Sequence, residues 1–272
     1  MKIRDAHVFI TGGSKGTGAA LALELAGQGA KITILARASA ELDQLAADIG
    51  AYAMPVDLTN LDSMEGVVTR AEEKNGPIDI LISIAAMANT GPFIKLTAVQ
   101  LRDGVNANML AHMEINRQAL PGMLARKRGT LAIVGSLSTE VTQIHLGNYA
   151  PAKAGLTKFG IDLQGELMGT GLSVFVFVLG AIRGTQLSNE GRKDPVIDFL
   201  DKRTGDFGVI SPQFIAKRMT RYFASDKTKA VVTIPRSLAP ITQFRLLPLR
   251  LMNPLMLWPA VAEARRQRAA LL

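Results

Sequence analysis

The sequence predicts an α/β protein: one doubly wound parallel sheet in a single domain, followed by an apolar, arginine-bearing C-terminal extension. Three observations predict it. Short apolar runs alternate with stretches of helical periodicity, a glycine-rich turn links the first run to the first helix, and 272 residues at 48% hydrophobic content can fill one core.

The elements follow in order. Residues 7–11 and Lys31-Ile32-Thr33-Ile34-Leu35-Ala36 are β-branched or apolar runs bounded by turn residues, as buried parallel strands are. Between them, Ala19 to Gly27 is rich in helix formers. Leu42, Leu45, Ala46 and Ile49 recur at helical spacing, and Leu61, Met64, Val67, Val68 and Ala71 predict a further helix. The strand Ala51–Val56 separates these two, and Ile78–Ile82 is the next. A long helix is predicted from about Val99 to Ala125, a strand at Thr130–Val134, a helix from Tyr149 to Leu167 and a strand at Ser173–Leu179. An irregular stretch, about 180–208, is expected to line the substrate side. A helix near Pro212–Ala224 and a strand at Ala230–Ile234 complete the pattern, giving a domain over 1–236 and an extension over 237–272.

Net charge is +8, and the extension contributes half of it through five arginines (245, 250, 265, 266, 268) against Glu263. No basic stripe interleaved with aromatics occurs elsewhere, so nucleic acid is excluded as a partner. With no cysteine, neither disulfides nor thiolate chemistry is available. Only six residues precede the first apolar run, so no signal peptide is expected, and a cytoplasmic location is. No metal site is predicted.

Thr11-Gly12-Gly13-Ser14-Lys15-Gly16-Thr17-Gly18 lies between a strand and a helix. Glycines there let the backbone approach a pyrophosphate, and the helix N-terminus offers free N–H groups to its charge. After the second strand, Ala36-Arg37 stands where an NAD enzyme typically places an acid for the ribose 2′-hydroxyl. Arg37 and Lys15 are two cations with no carboxylate beside them, which suits a 2′-phosphate and predicts NADPH/NADP+.

Tyr149-Ala150-Pro151-Ala152-Lys153 sets a phenol and an ammonium four residues apart, on one helical face. Pro151 falls in the first turn, where a missing N–H is tolerated. Carbonyl reduction needs a proton as well as a hydride, and a free phenol near pKa 10 exchanges its proton poorly at neutral pH. Lys153, with the positive oxidised nicotinamide, is expected to lower that pKa. A hydroxyl at Ser136, thirteen residues upstream, can stabilise charge on the carbonyl oxygen. Ser138 is a neighbouring rival. His145 is expected to be a loop residue rather than a base, because no carboxylate stands at an obvious orienting position.

The spacing of the glycine turn, with Asn108, Ser136, Tyr149 and Lys153 in register, resembles the short-chain dehydrogenases/reductases, a Rossmann-type family. The resemblance implies that Asn108 holds a water linking Lys153 to solvent, and that Lys153 bonds the nicotinamide ribose. It also implies that Asp57, with Leu58 beside it, holds the adenine amino group. Ala85, Gly180, Ile182 and Thr185 take family cofactor positions. Two departures stand out: Ser83-Ile84-Ala85-Ala86 replaces the family's Asn-Asn-Ala-Gly, and Leu179-Gly180 replaces Pro-Gly. Losing the asparagines removes hydrogen bonds that brace the sheet centre.

Ala6-His7-Val8, Glu73-Lys74-Asn75-Gly76-Pro77-Ile78-Asp79 and the apolar extension are most similar to 3-ketodihydrosphingosine reductase-like members. That likeness implies reduction of a lipid-like ketone. The extension is dense in apolar residues but broken by Pro248, Pro254 and Pro259, too short in any run to span a bilayer. It is expected either to lie peripherally at a membrane surface or to pack on the core or a neighbouring subunit of a homo-oligomer. The alternatives are a soluble reductase of a small ketone or 3-oxoacyl thioester, and a cofactor-sensing regulator on the same fold.

Overall fold

Residues 2–205, 209–225 and 231–243 are described by a computed structural model of the protein. Seven parallel strands form one sheet: β1 (His7–Thr11), β2 (Lys31–Ala36), β3 (Tyr52–Pro55), β4 (Ile78–Ser83), β5 (Gly129–Ser136), β6 (Leu172–Leu179) and β7 (Val231–Ile234), in the order β3-β2-β1-β4-β5-β6-β7. The chain leaves β1 toward β2 and β3, then returns across the sheet to β4. The carboxyl ends of β1 and β4 therefore open a crevice at the switch point, where doubly wound sheets bind ligands.

Helices cover both faces, which is why the inner strands are buried at every position rather than alternately. On one face α1 (Gly16–Gly27), α2 (Ala40–Ile49) and α9 (Pro212–Phe223) bury Leu21, Leu25, Leu42, Ile215, Met219 and Phe223. On the other, α3 (Val67–Asn75), α5 (Ala111–Arg126) and α6 (Tyr149–Glu166) bury Val67, Val68, Ile115, Met123 and Leu163. Each such side chain contributes roughly 1.5–3 kcal/mol.

The alternation expected from the sequence stands, with four differences. The helix expected from Leu61 divides into a 3₁₀ turn, Leu61–Met64, and α3, because Gly66 takes φ 66° and no continuous helix passes through that conformation. The long helix divides into α4 (Ala98–Val105), a π turn (Asn106–Leu110) and α5. The stretch expected to be irregular holds α7 (Gln186–Gly191) and α8 (Pro195–Thr204). Past β7, a 3₁₀ turn (Arg236–Leu238) and α10 (Ala239–Gln243) pack on the domain: Leu238 is buried, and the Thr242 and Thr233 hydroxyls meet at 2.8 Å. The rest of the predicted extension lies outside the described residues. Among the described residues no helix is long and apolar enough to cross a membrane.

Candidate active site

A cavity of about 960 Å³ opens at the carboxyl ends of the strands, running from the glycine turn to the start of α6. Gly12, Ser14, Lys15, Gly16, Thr17 and Gly18 line one end of it. Gly12 takes φ 68°, and a Cβ there would lie 2.6 Å from Ala85 Cα, so the turn seats against the end of β4 only without a side chain. Arg37, Asp57 and Leu58 line the same end; Ala85, Gly180, Ile182 and Thr185 line the middle. Asp57 Oδ1 accepts from the Thr59 backbone N–H and hydroxyl, both at 3.0 Å. Thr185 caps α7 through Ser188 N–H and reaches back to the turn, where a Cβ on Gly16 would meet its Cγ2 at 3.2 Å. The expected absence of a carboxylate from the cationic end is corrected: Lys15 Nζ pairs with Glu41 of α2 at 2.8 Å.

At the other end, β5 delivers Ser136 and the start of α6 delivers Tyr149, with Lys153 one turn on; all three line the cavity. Ser136 Oγ accepts from the Ser138 N–H at 3.2 Å and the Ser138 hydroxyl at 2.9 Å. Ser138 therefore occupies the acceptor sites of Ser136 and leaves its proton to donate. Burial raises the phenol pKa above its ordinary 10, and the nearby Ser136 hydroxyl opposes this. The expectation that Lys153 acidifies the phenol is thus not met in the chain alone. Lys153 Nζ is instead 3.1 Å from both Ala85 O and Val134 O, and burial pushes its pKa down to about 7.

Asn108 alone among the expected residues does not line the cavity. It is buried in the π turn, donates to Met87 O and Gly104 O at 2.8 Å and accepts from Met87 N–H at 3.0 Å. Its amide braces the segment after β4.

Polar residues missed in the sequence complete the surroundings. His112, one turn after Asn108 and fully buried, sits 3.0 Å from Ala85 O and 3.4 Å from the Thr11 hydroxyl. Burial, and then Lys153, hold its pKa at about 3, so it is a neutral imidazole. Thr11 Oγ1 accepts from Ile84 and Ala85 N–H, and Asn116 Nδ2 donates to Ser83 Oγ at 3.0 Å. These groups brace the Ser83–Ala86 segment in place of the absent asparagines. Asn148, buried before Tyr149, donates to Asn89 Oδ1 at 2.9 Å and Gln100 O at 3.0 Å, tying the start of α6 to α4.

Asp194 is another of them. Its carboxylate caps α8 through Val196 N–H at 2.9 Å and Ile197 N–H at 3.2 Å, and receives His145 Nδ1–H at 2.9 Å. The expectation that His145 lacks an orienting carboxylate is corrected; the pair is buried, with side chains 6% and 7% exposed. It joins the loop after β5 to a helix whose Ile197 and Leu200 line the cavity. Asp194→Ala should cost about 1–3 kcal/mol in denaturant unfolding. It should also raise the KM for the carbonyl substrate with dinucleotide affinity unmoved; an unchanged KM would show that the junction does not shape the pocket.

The comparisons agree with this geometry. Residues 6–195 match the family described as short chain dehydrogenase. The ketoacyl reductase HetN of Nostoc sp. is 28% identical over 230 residues, covering 83% of this chain and 77% of that protein. A 3-dehydrosphinganine reductase of Danio rerio is 27% identical over 227 residues, covering 80% and 68%. Among solved structures, an actinorhodin polyketide ketoreductase with NADPH superposes with a TM-score of 0.75 at 22% identity, over 84% of this chain and 95% of that one. With the family match spanning the glycine turn, Ser136, Tyr149 and Lys153, this chain belongs to the short-chain dehydrogenase family and is an oxidoreductase.

Proposed function

We propose that this oxidoreductase uses NADPH to reduce a bulky apolar ketone to a secondary alcohol, with Tyr149 donating the proton. One observation carries the reading: a single cavity joins the glycine turn and Arg37 to the Ser136–Tyr149 hydroxyl pair. The residues fit a dinucleotide. Its pyrophosphate would rest on the turn, its 2′-phosphate on Arg37, and its nicotinamide ribose near Lys153, whose ammonium keeps one donor beyond the two carbonyls it serves. When bound, the reduced dinucleotide supplies hydride to the carbonyl carbon.

The chain's own groups do the rest. Ser136 donates to the carbonyl oxygen and disperses the charge that grows there. Tyr149 transfers its phenolic proton to that oxygen, and the phenolate left behind is stabilised by the charge of the Lys153 ammonium. Asn108 positions the cavity wall beside them through Met87.

Val141, Leu146, Leu187, Ile197, Leu200 and Ile241 line the same cavity, a surface suited to a long hydrocarbon. A 3-ketodihydrosphingosine is the leading substrate, supported by the likeness to a 3-dehydrosphinganine reductase. The likeness to a ketoacyl reductase favours a 3-oxoacyl thioester as the second reading. NADPH oxidation across ketones of graded chain length tests both. kcat/KM should climb with chain length, and a preference for the shortest ketones would overturn the lipid reading.

Arg37→Ala should weaken NADPH by about 10–100-fold, the worth of a hydrogen bond to a charged group, and leave NADH nearly unchanged. Fluorescence titration of both cofactors measures this. Equal weakening would remove the 2′-phosphate assignment.

A further inference from the structure

We propose that Glu41 sets the strength of NADPH preference by competing with the cofactor's 2′-phosphate for Lys15. The proposal rests on the 2′-phosphate reading above and deepens it. Lys15 stands immediately before α1, at the entrance of the cavity, and its ammonium is one of the two cations expected to meet the phosphate. That ammonium is already engaged: Nζ lies 2.8 Å from Glu41 Oε1, with the two side chains 41% and 56% exposed. Both groups are therefore open to solvent and to an incoming anion.

Glu41 occupies the first turn of α2, just after Ser39, whose hydroxyl accepts from Leu42 N–H. The positive end of the helix stabilises a carboxylate there, so the glutamate is held where the phosphate is to bind. A dianionic phosphate and a carboxylate cannot share one ammonium without mutual repulsion across a few ångströms. Binding of NADPH then requires Lys15 to exchange Glu41 for phosphate, or to carry both anions at a cost. NADH has a hydroxyl at that position and meets no such competition. Glu41 acts only on the phosphate-bearing cofactor, and Arg37 supplies the attraction that it offsets.

Glu41→Gln keeps the size and the exposed setting and removes the charge. Titration with NADPH should show about two- to fivefold tighter binding, the worth of one exposed ion pair, with NADH moving less than that. 2′-AMP should tighten in parallel, while 5′-AMP should not. In a Lys15→Met background the gain should vanish, since the competition acts through that ammonium. Weaker NADPH binding in Glu41→Gln would overturn the proposal, because Glu41 would then be orienting Lys15 for the phosphate. An unchanged NADPH affinity, an equal gain for both cofactors, or a gain that survives Lys15→Met would overturn it as well. Arg37→Ala separates the two levels of inference. Equal loss of NADPH and NADH in that variant marks failure of the 2′-phosphate reading, whereas a selective loss beside an inert Glu41→Gln marks failure of this proposal alone.

Discussion

Tyr149→Phe is expected to lower ketone reduction by about 10²–10⁴-fold, the range that a positioned acid or base contributes, with NADPH affinity held. The substitution keeps the ring that fills the start of α6 and removes only the proton and the oxygen that carries it. Ser136 remains, so a polarising hydroxyl still faces the carbonyl, and the residual rate reports its share. Ser136 and Ser138 are joined to each other independently of the phenol, so the serine pair should stay in place in the variant. Steady-state kinetics with a parallel cofactor titration makes the measurement. Loss of both activity and NADPH binding would point to a packing role for the ring instead.

The second large effect concerns Lys153, an ammonium only 1% exposed. Burial moves its pKa from 10.5 to about 7. In the unfolded chain the amine keeps its proton up to the higher value; in the folded chain it gives the proton up near neutrality. Between those values the unfolded state binds more protons, so stability rises with pH across that window. The cost of burying the charge is fully present below about 7 and is gone above 10.5, amounting to on the order of 4–5 kcal/mol. Lys153→Met removes the titration. Denaturant unfolding without dinucleotide should show wild type gaining several kcal/mol on the variant from mildly acidic to alkaline pH. A difference that stays flat would mean that the folded protein holds the amine's proton as firmly as the unfolded chain does, so that burial does not shift it. The same variant should lose reductase activity, since no cation is left to favour the phenolate.

Much of the architecture was legible because the inner strands are mostly apolar runs and the helices between them keep a regular stripe. The site residues were legible for another reason: Gly12 falls in a strand–turn–helix unit, and Ser136, Tyr149 and Lys153 are tied to one another by short, fixed spacings. What escaped depends on contacts between distant parts of the chain. Asp194 meets His145 across 49 residues, and Glu41 meets Lys15 across α1 and β2. No local pattern announces either pair. His112 reads as an ordinary helical residue until Ala85 and Thr11 close around it. One signal was overlooked: Asp194-Pro195 repeats the cap-then-proline start of Ser211-Pro212, where a helix was expected, and it opens α8. The π turn at Asn106–Leu110 follows from tertiary packing around Asn108, which sequence periodicity does not encode.

Phenolate absorbance, recorded as wild type minus Tyr149→Phe through the alkaline range, with and without NADP+, tests the proton-transfer assignment most directly. The chain alone should titrate above the ordinary phenol value of 10, because burial outweighs the effect of the nearby Ser136 hydroxyl. NADP+ should pull the midpoint down, as its positive ring comes to face the phenol. A midpoint that NADP+ leaves unmoved would contradict the account.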